Sequence, residues 1–111
     1  MKTMRININR RFPVKKWSVI TRGVMPKSWD DRWAIEASGD HIVCTRTRTN
    51  QVVYRLSFRE VSEKDRLLYA VIDYADAYLE HINEDLHNES ALRETINTLL
   101  DEIVDSETFL K

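Results

Sequence analysis

A chain of 111 residues fits a single domain, 1–111, and its 42% apolar and 32% charged residues are those of a globular domain rather than a disordered chain. One cysteine, Cys44, excludes an internal disulfide, and no run approaches the roughly 18 apolar residues that a membrane span needs. The net charge of -1 conceals a split: residues 1–59 hold 13 Lys and Arg against 4 Asp and Glu, whereas residues 60–111 hold 4 against 14.

In chain order, Met4, Ile6 and Ile8 alternate with polar residues and predict a short strand, ended by Arg10, Arg11 and Pro13. Trp17, Val19 and Thr21 alternate in the same way and predict a second strand, followed by a turn at Gly23 and Pro26. Trp33, Ile35 and Ala37 give a third strand, closed by the turn Ser38-Gly39-Asp40. Ile42 to Thr49, rich in β-branched residues, gives a fourth. Val52, Tyr54, Leu56 and Phe58 alternate strictly and give a fifth. Asn50, a residue that tolerates a left-handed backbone, centres the turn between the last two.

Beyond Glu60 the apolar spacing changes. Leu68, Ile72, Ala75, Leu79, Ile82 and Leu86 recur at alternating intervals of four and three, the stripe of an amphipathic helix opening at Ser62 and Asp65. Asn88 caps a second helix carrying Leu92, Ile96, Leu99 and Ile103. The expected fold is therefore α+β: a four- or five-stranded, mainly antiparallel sheet of the basic half, 1–59, followed by a C-terminal α-helical hairpin of the acidic half, 60–111, packed on it. Leu68, Ile72, Leu79, Ile96 and Leu99 are the expected core of that hairpin.

Chemistry-bearing motifs are few. His41, His81 and His87 lack the spacing of a metal set, and no glycine-rich phosphate loop exists. Cys44, mid-strand between Val43 and Thr45, is expected to be a buried, inert thiol. The acidic pairs Asp30-Asp31 and Asp101-Glu102 are neighbours in sequence and read as a turn cap and a solvated helix face. Two basic clusters remain. Arg46 and Arg48 point to one side of their strand, and Arg55 on the next strand joins them if the Asn50 turn sets that register, an arrangement suited to an anion. Trp17, Trp29 and Trp33, interleaved with Lys15, Lys16, Arg22, Lys27 and Arg32, have the composition of a single-strand nucleic-acid platform. In a domain this small such tryptophans more often close the core, and the acidic second half argues against nucleic acid.

The residues Met25-Pro26, Trp29 to Ile35, Arg46 to Asn50 and Val53 to Phe58 resemble a pattern in a family of small uncharacterised bacterial proteins. It runs Met-Pro, Asp-Lys/Arg-Trp-x-Ile, Arg-Ser-Trp-Thr-Gly, Val-Tyr-Arg-Val-x-Phe, and some members are attached to ADP-ribosyl-glycohydrolase-like proteins. The resemblance covers residues 25–58 and implies a hairpin. Arg48 stands where that family tends to have Trp, and Asn50 where it tends to have Gly.

These features point to a non-enzymatic protein-interaction module, of the kind found among small bacterial regulators and immunity proteins, acting without a cofactor. Asp73, Asp76, Glu80 and Glu84 are expected to form an acidic row flanking the helical stripe and to meet a basic protein surface. The apolar surface of the hairpin can serve the sheet, a homodimer partner, or both, with burial against the domain's own sheet the commoner outcome. Two alternatives stand beside this reading: an acidic mimic of nucleic acid of phage type, and a nucleotide- or phosphate-binding protein using Arg46, Arg48 and Arg55. With no apolar run in Met1 to Arg11, no secretory signal is expected, and the cytoplasm is the default location.

Overall fold

The computed structural model describes residues 2–23 and 33–109. The turn expected at Pro26 lies outside them, as do Lys27, Trp29, Asp30, Asp31 and Arg32. The fold is α+β, as expected: a five-stranded antiparallel sheet followed by a helical region. The elements are β1 (Thr3–Pro13), α1 (Val14–Arg22), β2 (Trp33–Ser38), β3 (His41–Arg46), β4 (Gln51–Glu63), β5 (Arg66–Tyr78) and α2 (Glu89–Phe109). Two 3-10 turns, Leu79–His81 and Glu84–Leu86, connect β5 to α2. The sheet order is β1-β5-β4-β3-β2, so β2 to β5 form a meander and β1 closes it at the far edge, beside β5.

Alternation in β1 continues past Arg10 to Pro13, beyond the expected break. A bulge absorbs the irregularity: Asn9 takes a left-handed backbone, φ 51°, and the pairing with β5 shifts between Asn7 and Arg10. Asn50, φ 54°, stands in the β3–β4 turn as expected.

Two expected elements differ. Residues 14–22 form α1, not a strand. Their β-branched residues favour a strand locally, but Trp17 and Ile20, three apart, are both buried, a helical spacing that packing selects over propensity. Trp17 stacks edge-on against Phe58 with ring centroids 4.7 Å apart, and its indole N–H donates to Glu60 Oε2 at 2.8 Å. Gly23, φ 83°, ends the helix; a β-carbon there would sit 2.6 Å from the Ile35 carbonyl oxygen, so the close passage of the chain against β2 requires glycine.

The larger correction concerns residues 62–86, which form no α-helix. Residues 66–78 are β5, hairpinned to β4 through Lys64 and Asp65. Both turn residues have positive φ, 52° and 63°, the conformation of a two-residue type I′ turn. The helical stripe is an accident of phase. The inward positions of β5 are Ala70 and Ile72, then Ala75 and Ala77, because the pairing with β4 slips at Ser57/Phe58. The interval of three across that bulge imitates a helical repeat. Leu68, expected in the core, is 39% exposed, while Ile72 is fully buried. Leu79 is only partly buried.

The acidic half is thus one long strand, two turns and one helix. Asn88 caps α2 as expected, its Oδ1 accepting from the Ala91 N–H at 2.8 Å. Leu92, Ile96, Leu99, Leu100 and Ile103 bury α2 against the sheet. Both helices cover the same face, with Ile6, Ile8, Phe12, Ile35, Ile42, Leu56, Ile72 and Ala75 beneath them. The result is a two-layer molecule whose other sheet face carries no helix among the described residues. No helix there is long and apolar enough to cross a membrane.

Candidate functional site

Side chains alternate across a strand, so the register that buries one face dictates what the other displays. On β5 the outward positions are Tyr69, Val71, Asp73, Tyr74, Asp76 and Tyr78. Asp73 and Tyr74 are consecutive because the bulge restores the phase there. Opposite them β1 places Arg5 beside Asp76 and Arg11 beside Val71, and β4 places Arg55 beside Asp76 and Arg59 beside Val71. The open face therefore sets tyrosines and arginines side by side, with Val71, Asp73 and Asp76 among them.

These side chains are organised. The Arg5 guanidinium lies over the Tyr74 ring at 4.0 Å, and Arg11 over Tyr69 at 3.6 Å. Arg5 grips Asp76 through Nε to Oδ1 at 3.1 Å and Nη2 to Oδ2 at 3.5 Å, which raises the Arg5 pKa above its ordinary value. Arg59 Nε donates to both Asp73 oxygens at 3.2 Å. Ser57, paired with Tyr74 on this face, has a buried hydroxyl with no hydrogen-bond partner among the described residues. Near one end of the sheet, Val43, Val52, Arg55, Tyr78 and His81 line an open groove of about 420 Å³.

The expected acidic row takes a different form. Asp73 and Asp76 do share a face, but that of a strand, and each is held by an arginine of the basic half. Glu80 and Glu84 fall in the two 3-10 turns and continue no helical row. The acidic and basic halves also meet on the helix side: Arg10 pairs with Asp101 and donates to the backbone carbonyl and side-chain oxygen of Asn97, both at 3.3 Å.

The three arginines proposed as an anion cluster are not brought together. Arg46 continues the inward alternation of Ile42 and Cys44. It packs over the Trp33 ring at 5.6 Å and donates to the His81 carbonyl at 3.0 Å. Arg48 lies in the turn after β3. Arg55 pairs with Val43 on the opposite, outward face. The β3–β4 register, with Arg46 opposite Gln51 and a bulge between Cys44 and Thr45, sets them apart. Of the tryptophans, Trp17 is core and Trp33 is half-buried against Tyr54 at 5.6 Å. Neither offers an open stacking platform.

Cys44 is buried, and burial pushes its thiol up to about 12. Among the described residues no three of His, Cys, Asp and Glu gather as a metal set. Tyr69, Tyr74 and Tyr78 escaped the sequence reading because their segment reads as helix. Their signal is two period-2 runs, Tyr69-Val71 and Tyr74-Asp76-Tyr78, out of phase by one residue. No family model, curated protein or solved structure matches the chain.

Proposed function

We propose that this chain is a non-enzymatic interaction module that docks a protein partner on the open face of its sheet. The observation that carries this reading is the set Tyr69, Tyr74, Tyr78, Arg5, Arg11, Arg55 and Arg59, displayed together on a layer that no α-helix covers among the described residues. Tyrosine and arginine are the residues that most often concentrate binding energy at protein interfaces. Stacking and ion pairing already hold Arg5, Arg11 and Arg59 in place, which lowers the side-chain entropy lost on association. This surface replaces the acidic row as the contact region, since the aspartates that were to form that row are engaged by arginines of the same face. It also replaces the helical hairpin as a surface for a homodimer, because α2 buries its apolar stripe in the domain's own core.

The test is affinity capture from the source cell with three baits: the unmodified chain, a Tyr69→Ala/Tyr74→Ala variant, and a Glu94→Ala variant on α2. The proposal expects one protein to be recovered by the first and third baits and reduced at least tenfold with the second. Equal recovery by all three, with circular dichroism showing each bait folded, would remove the sheet face from consideration.

A further inference from the structure

Across the open face, the register sets Arg5, Asp76 and Arg55 in one row on β1, β5 and β4. One carboxylate thus lies between two guanidiniums, and both of its oxygens are taken by Arg5. The other outward carboxylate of β5, Asp73, has both oxygens taken by Arg59. Two cations of the face keep no ion pair to any described residue: Arg11, which is stacked on Tyr69, and Arg55, which is exposed. Arg55 stands in the groove with Val43, Val52, Tyr78 and His81. Two aliphatic walls, a phenol and an imidazole surround one uncompensated guanidinium. Arg46, through its bond to the His81 carbonyl, acts as a positioning residue for that wall.

Resting on the protein-docking reading above, we propose that this groove receives a carboxylate side chain from an acidic segment of the partner. The guanidinium fork matches a carboxylate with two parallel hydrogen bonds. Val43 and Val52 accept the methylene stem and its apolar neighbour. The groove is open along the sheet face, whereas sites for small molecules enclose most of the ligand's surface; an extended chain is the occupant this shape fits. A basic partner, by contrast, would meet the charge of Arg55 while Asp73 and Asp76, the outward carboxylates of β5, are already engaged by arginines.

The experiment presents the full chain with degenerate decapeptide libraries in which one central position is fixed as Glu, Gln or Lys. The unmodified chain should retain the Glu library at least tenfold over the Gln library. Arg55→Glu should invert the order, favouring Lys, while Lys16→Glu, an equal charge reversal on α1 and away from the sheet's open face, should keep the preference for Glu. Equal retention of Glu and Gln by the unmodified chain overturns the proposal, and so does a Glu preference that survives Arg55→Glu in a folded variant. Release of the Glu library by millimolar inorganic phosphate, with acetate inert, would make the groove a phosphate site and overturn it as well. A dimer in sedimentation that Arg55→Glu dissolves would instead assign the groove to a second copy. Capture that depends on Tyr69 and Tyr74 but not on Arg55 sinks this inference alone; capture that depends on neither sinks the docking reading with it.

Discussion

Cys44 packs its thiol among Ile35, Ile42 and Tyr54 with 1% exposure, and the neutral form is the one the core accepts. In the folded chain its pKa is pushed up to about 12, whereas an unfolded thiol titrates near 8.5. On raising the pH the unfolded chain therefore loses its proton first, so stability is complete below about pH 8.5 and declines as the pH climbs toward about 12. Urea unfolding at pH 10 should show about 2 kcal/mol less stability than at pH 7.5, and Cys44→Ala should remove most of that difference. Tyr54, also raised by burial, adds loss in the same direction at higher pH. Equal slopes for the two chains would mean that the thiol is not desolvated. Ile72 makes a companion test. It is fully buried on β5, and truncation to Ala should cost about 2–5 kcal/mol in urea unfolding. The same figure follows from a buried helix position, so for this residue the sequence identified burial correctly and the secondary structure wrongly.

At the scale of elements, the β4–β5 hairpin turns on Lys64 and Asp65, both with positive φ. Asn-Gly is the pair that suits this turn, because Gly carries no penalty at positive φ and Asn little. Lys64→Asn with Asp65→Gly should therefore stabilise the protein by about 1 kcal/mol, seen as a higher urea midpoint at unchanged slope. A neutral or destabilising result would show that the turn is of another type. The same two residues explain why the hairpin was hidden: Lys-Asp carries no turn signature, and the bulge near Ile72 converts strand alternation into helical spacing. Where local chemistry and fold agree, the elements were legible. Asn50 marked its turn, Val52 to Phe58 alternated, and Asn88 with Leu92, Ile96, Leu99 and Ile103 announced α2. α1 failed for the opposite reason, since Val19 and Thr21 have strand propensity that the packing of Trp17 and Ile20 overrides. The tyrosine and arginine face depended on β5, so it could not be read until that strand was placed.

For the molecule as a whole, the opposite charge of the two halves is answered in part within the chain. Arg5–Asp76 and Arg59–Asp73 cross between halves on the outer face, and Arg10–Asp101 on the inner. Exposed pairs of this sort contribute little to stability, because solvent screens them. Arg10 differs: it is half-buried, stacks over Phe12 at 4.9 Å and binds α2 at both Asn97 and Asp101. Arg10→Ala should cost about 1–2 kcal/mol through lost charged hydrogen bonds and stem packing, and 0.5 M salt should recover little of the difference. A loss that disappears in salt would reduce Arg10 to a screened surface charge.

The sheet order also governs the sequence of events in folding. β2 to β5 can zip together through short turns, but β1 must find β5 across the greater part of the chain, pairing Thr3 with Tyr78. During synthesis at roughly 5–20 residues per second, β1 is completed about 3–13 seconds before the end of β5 exists. For that interval Ile6, Ile8 and Phe12 belong to an apolar strand with no partner, a natural substrate for a chaperone. Pulse-labelled hydrogen exchange should find amides of β3 and β4 protected before those of β1, and simultaneous protection would show that the edge strand is captured during collapse rather than after it. An edge strand synthesised early and paired last carries an aggregation hazard until β5 is made, and pairing with β5 and packing by α2 are what finally retire it.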